Sequence, residues 1–250
     1  MPANRIIPSL LLRRGRLAKG VRFADYRDAG APATICRAHS AQGADEILLL
    51  DIEASHDGRE SDFGALEKVA AEIQVPLTFG GGMTNLDRIH RAIEAGADKV
   101  CLTTAALDRP DLIEEAAQVY GAQAVMVGID VVRRDGDYKL YDHRTGWTVS
   151  KQLDDWVGEA VSRGAGEIRL CAVDREGTRQ GLDTTLHDRV RARVNVPIIL
   201  EGGVGDLDHV AAAMKAGADS IGLGTLLVFS DNNLVKVRRF LANEGLKVRS

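Results

Sequence analysis

At 250 residues, with 32 Lys and Arg against 36 Asp and Glu, the chain carries a formal charge of −4 at pH 7. That balance offers no bulk attraction to nucleic acid or to an acidic membrane surface, and neither is expected as a partner. The three scattered cysteines, Cys36, Cys101 and Cys171, make neither a disulfide framework nor a CxxC motif. They point to a reducing cytosol and to chemistry without a metal or cofactor.

The N-terminal stretch Met1 to Leu12 has only a short apolar run and no cleavage-site pattern, so no export signal is read there. No later run approaches the ~20 apolar residues of a membrane span. In chain order, short Leu-rich or β-branched runs predict eight strands, at 5–12, 46–52, 77–79, 99–103, 124–131, 167–173, 197–200 and 220–223. Between them, apolar residues at helical spacing predict helices at 65–73, 86–95, 110–120, 153–162, 185–193 and 207–216. Alternating strands and helices imply a parallel sheet, and eight such units favour a closed (βα)8 TIM barrel over a doubly wound sheet.

An internal repeat with one constant offset of about 121 residues supports closure. Gly43-Ala44-Asp45-Glu46-Ile47 returns as Gly164-Ala165-Gly166-Glu167-Ile168, Val75-Pro76 as Val196-Pro197, and Ala95-Gly96-Ala97-Asp98 as Ala216-Gly217-Ala218-Asp219. Two homologous half-barrels, roughly 1–121 and 122–250, are implied. No linker or charge block divides them, so one domain is the economical reading.

In such a barrel the working residues lie at the C-terminal strand ends and in the loops that follow. Gly80-Gly81-Gly82 follows the third strand and Gly202-Gly203 the seventh. Each has a strand-end hydroxyl as its neighbour, Thr103-Thr104 after the fourth strand and Gly224-Thr225 after the eighth. An isolated Gly-Gly is more often a tight turn than an anion site, but duplication on opposite sides of one mouth suits a ligand with a phosphate at each end. Gly177, in the polar turn Asp174 to Thr178 after the sixth strand, joins that phosphate-binding set. Asp51 and Asp130 end the second and fifth strands and are candidate acids or bases, with a salt-bridged structural carboxylate as the alternative. Lys19 and Glu201 complete the catalytic candidates; Glu201 stands directly before a phosphate turn, where it must face some other part of the substrate.

Taken together, these residues resemble the HisF family, the cyclase subunit of imidazole glycerol phosphate synthase, over nearly the whole chain. Its landmarks are Arg5-Ile6-Ile7-Pro8, Gly15-Arg16, Lys19-Gly20, Leu50-Asp51-Ile52, Gly96-Ala97-Asp98-Lys99-Val100, Ile129-Asp130 and Asp174-Arg175. The resemblance implies a HisH-like glutaminase docked at the barrel bottom and ammonia passing up through the core. The family's charged gate maps onto Arg5, Glu46, Lys99 and Glu167, and its partner-facing positions onto Asp98 and Gln123.

The top of the barrel departs from the family. Leu11 stands where the family has a catalytic aspartate, and Thr103, Cys171, Glu176 and Glu201 also differ. A preserved ammonia end joined to a changed acceptor end resembles the HisF-like branch associated with amidation of sugar nucleotides, which works with a separate sugar amidotransferase. The leading expectation is therefore an ammonia-using synthase subunit acting on a phosphorylated acceptor, a sugar nucleotide. The alternative is an authentic histidine-pathway cyclase; a related isomerase ranks third, and a barrel serving only as scaffold or conduit is the non-enzymatic reading.

Overall fold

The computed structural model describes residues 4–249, so the first three residues of the N-terminal stretch lie outside the described residues. All eight predicted strands form, as members of a longer series. The first half contains β1 (Arg5–Arg13), β2 (Arg16–Val21), β3 (Ala24–Gly30), α1 (Pro32–Ala41), β4 (Ile47–Asp51), α2 (Phe63–Ala70), β5 (Leu77–Gly80), α3 (Leu86–Glu94), β6 (Lys99–Leu102), α4 (Thr104–Asp108) and α5 (Asp111–Tyr120). The second contains β7 (Val125–Arg134), β8 (Asp137–Asp142), β9 (Trp147–Thr148), α6 (Leu153–Ser162), β10 (Glu167–Ala172), α7 (Thr184–Arg191), β11 (Ile198–Glu201), α8 (Leu207–Lys215), β12 (Ser220–Leu223), α9 (Thr225–Val228) and α10 (Leu234–Asn243).

Strands β1, β4, β5, β6 and β7 follow one another in parallel, and β12, β11 and β10 continue from the other side of β1. Closure comes from β10 returning to β7, in register from Glu167 opposite Met126 to Ala172 opposite Val131. The result is an eight-stranded parallel barrel wrapped by helices. Two antiparallel hairpins project from it: β2 and β3 beyond β1, and β8 and β9 beyond β7. The sequence reading missed both, along with α1, α4, α9 and α10. β3 carries no apolar run and is largely exposed, so alternation gave no signal there.

Strands in a barrel are buried on both faces, which is why β4 reads Ile-Leu-Leu-Leu-Asp without polar alternation. Successive side chains still point in opposite directions. Leu12, Leu49, Phe79, Leu102, Val127, Leu170, Leu200 and Leu223 face outward and join the core beneath the helices. Ile7, Leu11, Leu48, Leu50, Cys101, Met126 and Ile199 form a separate apolar cluster inside the barrel. Each large side chain so buried contributes roughly 1.5–3 kcal/mol.

The half-barrel repeat extends to the helix starts. Asp62 caps α2 by accepting the Ala65 N–H, and its repeat partner Asp183 caps α7 through Leu186. Asn85 caps α3 and its partner Asp206 caps α8 in the same way. Each cap satisfies an otherwise orphaned donor, a contribution of about 1 kcal/mol.

Candidate active site

Two sets of charged residues occupy the barrel interior, one at its floor and one at its mouth. At the floor, Arg5, Lys99 and Glu167, each the first residue of its strand, are brought together with Glu46, the residue directly before β4. Lys99 Nζ lies 2.8 Å from both Glu46 Oε2 and Glu167 Oε2, and Arg5 Nη1 lies 3.3 Å from Glu46 Oε2. Arg5 Nη2 donates to Glu167, closing a ring of alternating charge. Burial by itself would lower the pKa of both cations; the facing glutamates outweigh it and raise them instead. Thr78 and Ser220 complete the layer, the hydroxyl of Thr78 donating to Glu46 and Ser220 Oγ accepting from Arg5 Nε at 3.0 Å. Asp98 and Gln123 are exposed at the same end. Asp98 accepts the Leu77 N–H at 2.8 Å, and Gln123 donates to the Tyr120 carbonyl at 3.0 Å.

At the mouth lies a cavity of about 330 Å³ whose walls include Leu11, Asp51, Gly81, Gly82, Thr103, Thr104, Asp130, Tyr141, His143 and Arg169. The first predicted anion site thus opens onto it, although the Gly82 N–H is engaged by Ser55 Oγ at 3.0 Å. At the second, Gly202 and Gly203 form a buried turn, with the Gly203 carbonyl accepting from Gly181 at 2.8 Å. Thr225 Oγ1 is buried there without a hydrogen-bond partner, an orphan that a ligand oxygen would satisfy. Gly177 has φ +75°, and a Cβ there would stand 2.5 Å from the Gly20 carbonyl oxygen. Its glycine thus serves the close approach of the β10–α7 turn to the β2 hairpin.

The predicted carboxylates meet different partners. Both oxygens of Asp51 are taken by Arg59, each at 2.8 Å, and Oδ2 also accepts the Asp62 N–H at 3.0 Å. That geometry makes Asp51 the anchor of the β4–α2 loop. Asp130 and Glu201 share one guanidinium: Arg169 Nη1 donates to Asp130 Oδ1 at 3.0 Å, and its Nε and Nη2 lie 2.9 and 2.8 Å from Glu201 Oε2. Arg169 is buried; burial works against its charge, but Glu201 and Asp130 outweigh it and hold its pKa well above the ordinary value. Glu201 Oε1 is left buried and unpartnered. Its side chain fits because residue 222 is glycine: a Cβ at Gly222 would lie 2.3 Å from Glu201 Cγ.

Lys19 is buried and paired with Glu176, with its ammonium lying against Gly224. Burial pushes its pKa down to about 8, the Glu201 charge offsetting this only in part. Cys101 and Cys171 are pushed up to about 12 by burial, so both stay thiols and Cys171 is no nucleophile at neutral pH. Among the described residues no cluster of three His, Cys, Asp or Glu side chains could hold a metal ion.

Arg169 was the main residue that sequence reasoning missed. Glu167 was assigned to the gate, and a residue two positions along a strand shares its face, so alternation could have placed Arg169 inside the barrel. His143 had no such local signal, because only the β8–β9 hairpin folding over the mouth brings it to Asp130.

Comparison with known proteins accords with this architecture. The family model described as "Histidine biosynthesis protein" matches residues 5–232. A Halalkalibacterium halodurans protein named imidazole glycerol phosphate synthase subunit HisF is 41% identical over 252 residues, covering 100% of both chains. Proteins of the same name from Exiguobacterium sibiricum and Bacillus pumilus are each 39% identical, again over the full length of both chains. With the repeat, the closed barrel and these full-length matches in agreement, the chain belongs to the HisF family of histidine biosynthesis proteins.

Proposed function

We propose that this chain is the ammonia-using subunit of a glutamine amidotransferase of the imidazole glycerol phosphate synthase type. A HisH-like glutaminase docks beneath the barrel, ammonia enters through the charged ring, and it reacts at the mouth with a ligand carrying two phosphates. The observation that carries this reading is the closed ring of Arg5, Glu46, Lys99 and Glu167, in a chain matched end to end by relatives bearing that enzyme's name. The sugar-nucleotide acceptor favoured from the sequence, and with it a third amidotransferase partner, finds no support among those relatives. The histidine-pathway alternative therefore becomes the leading reading.

In this proposal Gly81, Gly82, Thr103 and Thr104 take one phosphate, and Gly177, Gly202, Gly203, Gly224 and Thr225 the other. The unpartnered hydroxyl of Thr225 supports the second set. Asp130, Lys19 and Glu201 supply charge and proton transfer, while Asp51 acts through the loop it anchors. Asp98 and Gln123 belong to the glutaminase-facing end. Three buried free thiols support a reducing, cytosolic setting, and among the described residues no helix is long and apolar enough to cross a membrane.

A second reading keeps the ammonia route and changes the acceptor. It is favoured by Leu11, which cannot move a proton, and by the ion pair that ties Asp130 to Arg169. One assay separates the two: the purified chain with excess ammonium and the ribulosyl intermediate of the histidine pathway. Turnover at family rates upholds the first reading. No turnover, with a HisH-like glutaminase still bound and activated, upholds the second, and failure to bind any such glutaminase rejects both.

A further inference from the structure

Amination at the mouth needs a group that can accept and return a proton, and the strand ends supply few. Leu11 has no such group, and Arg169 occupies Asp130 Oδ1. The other oxygen, Oδ2, faces the β8–β9 turn, where His143 Nδ1 lies 3.9 Å away. The His143 side chain is 22% exposed and lines the mouth cavity beside Leu11 and Thr103. Catalytic hydrogen bonds are often this long before a ligand closes the site.

The turn that carries His143 is built to hold it. Asp142 Oδ1 accepts the Arg144 N–H at 2.9 Å, and the Arg144 guanidinium grips Asp142 while reaching Asp108 Oδ1 at 2.9 Å. Asp108 ends α4, the helix that starts at Thr104, so the hairpin is tied to the cavity wall. A buried cation thus fixes a carboxylate, the carboxylate faces an imidazole, and the imidazole faces the cavity. That is the ordering logic by which a third group orients a catalytic base.

We propose that His143 is a further catalytic acid–base residue of this mouth, oriented by Asp130, and that it relays a proton as ammonia joins a carbonyl carbon of the acceptor. This rests on the ammonia-using reading. The nitrogen lone pair forms the C–N bond and the carbonyl π pair moves to oxygen. Neutral His143 takes one proton from the new ammonium nitrogen and delivers it to that oxygen, giving the carbinolamine with no net proton gained or lost. The charges facing the ring are Asp130 from β7, Arg169 from β10, and Asp142 and Arg144 on its own hairpin.

The test uses the full-length chain and two measurements. In the first, imidazole resonances are followed between about pH 5 and 8 in the wild type, in His143→Gln for assignment, and in Asp130→Asn. Loss of the carboxylate charge should lower the proton affinity of His143 by about threefold or more. In the second, turnover of the ribulosyl intermediate with ammonium is recorded against pH. His143→Gln should lower kcat by about 10²-fold or more and abolish the acidic limb of the profile, with KM nearly unchanged. A kcat retained in His143→Gln overturns the proposal. If the wild type does not turn over this substrate, the acceptor assignment fails and the resonances decide alone: a midpoint indifferent to Asp130→Asn overturns the His143–Asp130 unit, and a displaced one upholds it.

Discussion

Arg169 donates to Asp130 across 3.0 Å inside the barrel mouth, and Glu201 closes on the same guanidinium from the opposite side. One cation thus bridges two buried carboxylates, each left without its ion-pair partner if the guanidinium is removed. Removing it alone, by Arg169→Leu, should destabilise the barrel by about 3–5 kcal/mol, because breaking a buried pair leaves its partners charged and desolvated. The double variant Arg169→Leu, Glu201→Leu should recover much of that loss. Urea unfolding measures both, and a double variant no more stable than the single one would refute the account.

At the neighbouring strand end, Leu11 belongs to the apolar cluster inside the barrel and lines the cavity that holds Asp130. Restoring the family's acid by Leu11→Asp would add a carboxylate to a site where Asp130 and Glu201 are already paired with Arg169. Cyclase turnover with ammonium should stay within about tenfold of the wild type. A gain of about 10²-fold or more, the size of a positioned acid or base, would mean that Leu11 alone limits the chemistry.

At the floor, Asp98→Ala removes an exposed carboxylate and its bond to the Leu77 N–H, a loss of about 1 kcal/mol that the fold should survive. Glutaminase activation by this chain should fall while the unfolding transition stays cooperative. Lys99→Ala acts differently, because it opens the ring between Glu46 and Glu167. Glutamine hydrolysis should continue and amination of the acceptor should drop, measured as the ratio of product to glutamate released. Equal rates at both ends would reject the gating role.

Outside the barrel, His39 is buried in α1 with neither ring nitrogen hydrogen-bonded, and burial pushes its pKa below the ordinary value of 6.5. The folded state therefore binds fewer protons than the unfolded state below about pH 6.5, so stability falls as pH drops through that range and levels off beneath the folded pKa. His39→Leu should flatten this slope and raise stability at neutral pH by about 1 kcal/mol, as an unpartnered buried polar group is removed. His143, also lowered chiefly by burial, contributes with the same sign, so the slope should shrink without vanishing. Thermal unfolding across pH gives the answer.

Much of this molecule is local and was legible in order along the chain. The eight barrel strands, the six central helices, the half-barrel repeat and the positions of both glycine turns follow from hydrophobic period and spacing, properties that each segment carries by itself. The charged ring at the floor was legible through resemblance, since Arg5, Glu46, Lys99 and Glu167 keep the family's residue types. Asp51 and Asp130 looked alike, each a carboxylate closing an apolar strand. Only the tertiary structure gave Asp51 to Arg59, eight positions along the same loop, and Asp130 to Arg169 on the strand that closes the barrel. The pairing of β11 with β12 likewise set Gly222 against Glu201, and hairpin folding brought His143 over the mouth. What a charged side chain can do depends on which opposite charges stand within a few ångströms of it and how much water is excluded, and that proximity is created by loop folding and strand pairing that no segment encodes by itself.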